Sequence, residues 1–243
     1  MKVFYLNHEK FQKGDTIKAL QFALGFAKQD KGIKTITLLV FQQQQYEPFL
    51  SEVGFKPQHY KDHMANINGY KVQIHTVKTY HPDYRFADHP QSEILVAVGV
   101  PPKQLEQFED YSNIKYWILV PWLMDENREW LSIFEAEDIE TGQTVAPPAD
   151  ADARVVEAIN WLNSTSYPNE GYHHPLDEDR LHQVANAIKR YKVPFNYAST
   201  VHCALHHGQI PSAARNTAEA FQQAQRRAFA VKYKAYDLCF LKK

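Results

Sequence analysis

The chain has 243 residues, of which 44% are hydrophobic and 23% charged, a composition that supports a packed core and excludes general disorder. Its net charge of −1 conceals an asymmetry: residues 1–150 carry 15 basic and 20 acidic side chains, a net of −5, whereas residues 151–243 carry 12 and 8, a net of +4. No apolar run has the roughly 20 residues of a membrane span, no signal-peptide pattern is present, and two cysteines are too few for a disulfide framework, so we expect a cytoplasmic protein without membrane contact.

Strands and helices are predicted to alternate over the first 145 residues. The apolar segments that predict strands are 2–6, 34–41, 70–80, 93–100 and 115–122. Asp15 or Thr16 caps a helix after the first strand, and Pro101-Pro102 begins another after the fourth. Nearly continuous apolar strands are typical of a parallel sheet covered on both faces. The predicted fold class is α/β, with a Rossmann-like, mostly parallel five-stranded sheet, helices on both faces, and a small all-α domain behind it.

Residues 141–153, rich in Pro and Ala, are predicted to be a linker, which divides the chain into a domain over 1–145 and a helical domain over 146–243. Helical spacing of apolar residues, helix-dipole charges and the turn at Gly208 predict the helices of the second domain. These helices are expected at 152–163, 177–191, 197–207 and 211–230.

The carboxyl ends of the strands are the expected ligand site, because open parallel sheets bind ligands in the crevice beyond them. Gly14, Asp15 and Thr16 lie at the first strand-to-helix turn, and Gly99 and Lys103 follow the fourth strand. Free backbone N–H groups at such turns hold anions, so these residues predict a small anionic ligand, for example a nucleotide-like one. Both common phosphate fingerprints are absent, and the alternative is that these are capping and turn residues only.

The loop 80–92 is a second candidate site because it contains His81, Asp83, Asp88 and His89 at the end of a strand. Histidine and carboxylate side chains together supply a general base or metal ligands. This predicts a hydrolase or transferase site as the alternative function. The same letters, rich in Asp and Pro, also fit ordinary turn chemistry.

His202 and His206 are the candidates for a metal site in the helical half. They are four residues apart, so both project from one face of a helix. Zinc proteases of the H-E-x-x-H pattern need Glu after the first histidine, where this chain has Cys203. Surface or capping histidines are the alternative, and the sequence does not identify a cofactor.

Residues 197–230 resemble a helix-turn-helix, with Ala204 in the first helix and Gly208 at the turn. Over 180–243 the chain carries 11 basic and 2 acidic residues, a net of +9, which suits nucleic acid. By this resemblance the second helix contacts DNA or RNA: Ser212, Arg215, Asn216 and Glu219 face bases, and Arg226, Arg227, Lys232 and Lys234 approach phosphates. Gln209 departs from the pattern, in which an apolar residue follows the glycine, and any helical hairpin also has Gly at its turn.

In layout alone, the two halves resemble sensor proteins that join a Rossmann-like ligand domain to a helical output domain, among them CRISPR-associated Rossmann-like domains. Such a layout implies a binding or regulatory protein, although fold by itself does not establish function. The leading hypothesis is therefore a ligand-binding regulator, and the second is the enzyme above. A third is an oligomerisation module, with Trp117, Trp122, Trp130 and Phe134 at a subunit interface.

Overall fold

A computed structural model describes residues 1–81, 92–233 and 235–242. The chain divides into two compact units, Met1–Ala146 and Pro147–Lys243. The boundary between them lies inside the segment 141–153, whose composition is that of a linker.

The first unit is an α/β fold around one sheet, which confirms the predicted class with a mostly parallel sheet. Its strands in the described residues are β1 (Lys2–Tyr5), β2 (Ile33–Val40), β3 (Met64–Ile67), β4 (Tyr70–Thr76), β5 (Ser92–Val98), β6 (Ile114–Val120) and β7 (Glu137–Asp138). The helices are α1 (Asp15–Gln29), α2 (Tyr46–Leu50), α3 (Pro57–Lys61), α4 (Pro102–Leu105) and α5 (Arg128–Ile133). The strand order is β3-β4-β2-β5-β6-β1-β7, and only the β3–β4 pair is antiparallel.

The prediction of five strands is wrong, because the sheet has seven. The first missing strand, β3, forms a hairpin with β4 through Asn68-Gly69, whose φ angles of 53° and 85° are those of a type I′ turn. The second, β7, has two residues and pairs with β1. Both strands lie at the sheet edges and are too short to produce a hydrophobic period.

Side chains alternate between the two faces along each strand, so both faces of the sheet carry apolar side chains. Helices pack against both faces and bury them. One core joins even-numbered positions of β2 and β5 to α1 and α2, with Ile36, Leu38, Val96, Leu20 and Phe49 among its residues. The other joins odd-numbered positions to α4 and α5, with Leu39, Leu95, Ala97, Leu105 and Trp130 among its residues.

The direction of the chain through the sheet reverses between β2 and β5, which are neighbours. From β2 the chain passes through α2 and α3 to β3 and β4 on one side. From β5 it passes through α4 to β6 on the other side. Successive connections that leave in opposite directions open a crevice at the carboxyl ends of the two strands.

The second unit is helical, with α6 (Ala153–Thr165), α7 (Pro175–Arg190), α8 (Tyr197–His206) and α9 (Pro211–Arg226). Helix α7 has Asp177 and Glu178 in its first turn and Lys189 and Arg190 in its last, a distribution that stabilises both ends of the helix dipole. In the part of the chain that the structure describes, every helix is too short or too polar to cross a bilayer.

Candidate functional site

A pocket of about 340 Å³ lies at the carboxyl ends of β2, β5 and β6 in the first unit. It therefore occupies the crevice where the chain direction reverses. The residues that line it are Phe41, Gln45, Pro48, Phe49, Gly99, Val100, Pro101, Trp122, Glu126 and Asn127. Its volume is at the lower end of the range of small-molecule sites, about 300–1,000 Å³.

Aromatic rings form much of the pocket wall. The rings of Phe49 and Trp122 are 5.4 Å apart and meet edge to face. Phe11, from the loop after β1, supports both: its ring is 4.8 Å from Phe49 and is stacked on Trp122 at 6.1 Å. Trp122 nevertheless remains 52% exposed. A large aromatic side chain held in place but open to solvent provides a surface on which a planar ligand can stack.

Gly99 allows the backbone after β5 to approach Phe49. Its φ is +61°, a left-handed value, and its N–H donates to the Val120 carbonyl at 2.8 Å. A Cβ at this position would lie 2.7 Å from Cε2 of Phe49. Of the ligand residues predicted from sequence, Gly99 is the one that lines the pocket.

Thr16 contributes to the pocket indirectly. Its hydroxyl, fully buried, donates to the Phe49 carbonyl at 2.7 Å. This bond ties the first turn of α1 to α2 and fixes the backbone of a pocket residue. Thr16 is therefore a positioning residue for the pocket wall.

The polar groups of the lining are Gln45, Glu126 and Asn127. Asn127 is 3% exposed, and its Nδ2 donates to the Leu123 carbonyl at 2.7 Å. Its Oδ1 is buried and accepts no hydrogen bond from the described residues. Among the described residues, Glu126 is the one charged side chain of the lining, which therefore contributes no positive charge.

The other predicted anion-binding groups are already engaged within the protein. The Gly14 N–H lies 2.8 Å from each carboxylate oxygen of Glu52. The Lys103 ammonium is 2.8 Å from Glu106. An external anion at the first turn would therefore have to displace an internal carboxylate.

A histidine held between two carboxylates lies beside the first turn. His8 Nδ1 is 2.9 Å from buried Asp15, and its Nε2 is 3.2 Å from Glu140. Asp15 also accepts from the Gln12 N–H at 2.8 Å, and Lys18 pairs with Glu140 at 2.6 Å. The Asp15 carboxylate on Nδ1 fixes the orientation of the ring, whereas Glu140 occupies Nε2, the nitrogen that a general base presents to its substrate.

Most of the loop 80–92 lies outside the described residues. His81 is exposed, whereas Asp83, Asp88 and His89 lie outside the described residues. The acid–base role predicted for these four residues remains a prediction.

In the second unit, α8 brings the rings of His202 and His206 to 4.4 Å of each other. Cys203, between them in sequence, is half-buried, and burial raises the pKa of its thiol. The spacing is as expected for one helix face, and the metal site itself remains a prediction.

The helix-turn-helix residues are placed unevenly. Arg215 is 7% exposed, Ser212, Asn216 and Glu219 are partly exposed, and Lys234 lies outside the described residues. Arg226, Arg227 and Lys232 are exposed. Contact of Arg215 with a base would require this side chain to become accessible.

Gln209, where the helix-turn-helix pattern has an apolar residue, is 4% exposed and makes internal hydrogen bonds. Its Nε2 donates to Asn163 at 2.8 Å, and its Oε1 accepts from Thr217 at 3.1 Å. Asn169 accepts from the Ile210 N–H at 2.8 Å. The turn before α9 is thus held by side chains of the same unit.

Comparison of the chain with protein-family models, curated proteins and solved structures found no match. Sequence reasoning missed most of the pocket, namely Phe41, Phe49, Trp122 and Asn127. For two of them the signal was position: Phe41 directly follows β2, and Trp122 is the second residue after β6.

Proposed function

We propose that this protein is a small-molecule-binding protein whose sheet unit, Rossmann-like in its switch of strand direction, holds a planar aromatic ligand of nucleobase or nucleoside size. The observation that carries the proposal is the aromatic-walled pocket at the carboxyl ends of β2 and β5. In open α/β sheets this is the position at which ligands bind.

The chemistry of the lining favours a neutral ring over the anion predicted from sequence. Trp122 offers a stacking surface, and Asn127 holds a buried acceptor without a donor among the described residues. This acceptor is closed to solvent, so a ligand N–H would remove its cost of about 1–3 kcal/mol only after the Asn127 side chain opens toward the pocket. The carboxylate of Glu126 and the absence of Lys, Arg or His from the lining disfavour a phosphate inside the pocket.

The test is a calorimetric titration with nucleosides and the corresponding nucleotides. We expect nucleosides to bind at least as tightly as nucleotides. Trp122→Ala should weaken binding about fivefold or more, since stacking of a base on an aromatic ring contributes about 1–3 kcal/mol. Tyr167→Ala, which removes a 70% exposed ring from the helical unit, is the control and should change nothing. Failure of every nucleoside to bind, or equal binding by Trp122→Ala, would refute the proposal.

A hydrolase or transferase is the second candidate, and the His8–Asp15 pair favours it. The pair lies at the carboxyl end of β1, where an acid–base group of a parallel-sheet enzyme is expected. Under this alternative, His8→Gln abolishes turnover of a bound nucleoside or its ester and leaves its affinity unchanged. Absence of turnover in the unmodified protein rejects the alternative without affecting the binding proposal.

A further inference from the structure

A second concave surface lies in the helical unit, between the last two turns of α7 and the described residues 228–233 and 235–238 that follow α9. Its volume is about 610 Å³. Lys189, Arg190 and Tyr191 line it from the end of α7, and Val231, Tyr236 and Asp237 are among the lining residues from the other side. We refer to it as the α7 groove.

Side chains of α7 hold one wall of the α7 groove in place. Asn186 makes two hydrogen bonds to the backbone of Phe229, both at 2.9 Å. Asp179 accepts from the Lys232 N–H at 2.6 Å and Gln183 from the Tyr236 N–H at 2.8 Å. His182 stacks on the Phe229 ring at 4.0 Å. The segment is therefore docked on α7 by a regular series of contacts, and the groove beside it is a built feature of the unit.

The surface around the α7 groove is strongly basic. Six cations belong to it or flank its lining residues: Lys189, Arg190, Lys192, Arg226, Arg227 and Lys232. Among the residues that the structure describes, none of these six side chains has a carboxylate within ion-pair distance. Asp237 is the acidic residue of the lining, and its carboxylate accepts from the Cys239 N–H at 3.1 Å. Cations without internal partners are available to neutralise an external polyanion.

Aromatic rings are interleaved with these cations. Tyr191 and Tyr236 line the groove, and Tyr233, two residues from the lining residue Val231, is 45% exposed. Tyr236 is 38% exposed, with its ring edge against Trp161 and the Arg180 guanidinium 5.6 Å from its centre. Tyr191 is half-buried, with the Lys242 ammonium 5.9 Å from its ring centre. Rings that are held in orientation and keep one face open are stacking platforms for unpaired bases.

From this combination of unpaired cations, partly exposed rings and a groove, we propose that the α7 groove binds single-stranded nucleic acid, with phosphates on the six cations named above and bases on its tyrosines. The phosphates of a duplex would also contact the cations, but its bases are stacked on one another and cannot stack on the tyrosine rings. The lining of the α7 groove contains none of the base-contacting residues predicted at the N-terminal end of α9, but the surface shares Arg226, Arg227 and Lys232 with the predicted phosphate contacts.

The experiment is fluorescence anisotropy of the whole protein with labelled oligouridine and oligothymidine of about twelve nucleotides, and with a duplex of the same length. We expect the single strands to bind at least tenfold more tightly than the duplex. The double substitution Lys189→Gln/Arg190→Gln should weaken binding about tenfold. It should also reduce the magnitude of the slope of log affinity against log salt concentration by about 1.4, because each of the two phosphates that the variant no longer neutralises contributes about 0.7. Lys28→Gln/Lys31→Gln, which removes two exposed charges from the sheet unit, is the matched control and should leave both quantities unchanged.

A second pair of variants tests the stacking. Tyr191→Ala should weaken binding about fivefold, and Tyr191→Phe, which keeps the ring, should retain it. Circular dichroism of each variant verifies that α7 is intact. The proposal is overturned if no single strand binds, if the duplex binds equally well and Tyr191→Ala has no effect, or if the control pair weakens binding as much as the groove pair. Binding to anionic phosphatidylserine vesicles in place of oligonucleotides would also overturn it.

Discussion

The contact between Gly99 and Phe49 makes the rigidity of the pocket measurable. In Gly99→Ala, a non-glycine residue must adopt φ +61°, which costs about 1–2 kcal/mol. The new Cβ also lies 2.7 Å and 2.8 Å from two carbons of a ring that is 3% exposed, so the ring must rotate from its rotamer at about 1 kcal/mol. We expect a loss of about 2–3 kcal/mol in the free energy of unfolding of the sheet unit.

Gly142→Ala is the matched control, because Gly142 has a similar φ of +70° and open space where its Cβ would be. It should lose only the backbone part, about 1–2 kcal/mol. Urea unfolding followed by tryptophan fluorescence is the assay. In a Trp161→Phe background, the remaining tryptophans, at 117, 122 and 130, all report on the sheet unit. Equal losses in the two alanine variants would refute the reasoning, because they would mean that Phe49 yields freely. In a Phe49→Leu background, Gly99→Ala should lose only the backbone part, because the ring that the new Cβ would meet is gone.

Three further predictions concern other parts of the chain. Thr16→Val removes the hydroxyl that donates to the Phe49 carbonyl and should cost about 1 kcal/mol of unfolding free energy in urea, whereas Thr16→Ser should retain most of it. Burial raises the pKa of Glu93 above its ordinary 4.5, so the folded state binds the proton more tightly than the unfolded state. The free energy of unfolding therefore falls as pH rises from about 4.5 through the folded pKa, and in Glu93→Gln this fall should disappear from a pH series of urea titrations. The same fall in Glu93→Gln as in the unmodified protein would contradict the raised pKa of Glu93. Asn186→Ala removes both hydrogen bonds to Phe229 and should accelerate tryptic cleavage at Arg227 and Lys232, whereas exposed Gln222→Ala should leave the cleavage rate unchanged.

Strands that are buried on both faces were predictable from the sequence, because each one is a short, continuous run of apolar residues. The segments 34–41, 93–100 and 115–122 are continuous apolar runs. Strands β2, β5 and β6 each begin one residue before the corresponding segment and end one or two residues before its end. In the hairpin of β3 and β4, the turn Asn68-Gly69 is recognisable from sequence. The four residues of β3 are too few to show an alternation of apolar and polar side chains. The two residues of β7 are too few as well.

The sequence by itself determined the α/β class, the parallel character of the sheet, the position of the main helices and the basic charge of the C-terminal end, because each depends on residues close together in the chain. The tertiary structure decided which strand ends meet, and hence that Phe49, Gly99 and Trp122 share a pocket, because strand order depends on how whole elements pack. It also decided that the Gly14 N–H donates a hydrogen bond to the Glu52 carboxylate. In the helical unit it decided that side chains of α7 bind the backbone of Phe229, Lys232 and Tyr236, about 40 to 50 residues further along the chain. Such contacts are set by the free energy of the complete packed chain, and no local pattern of residues encodes them.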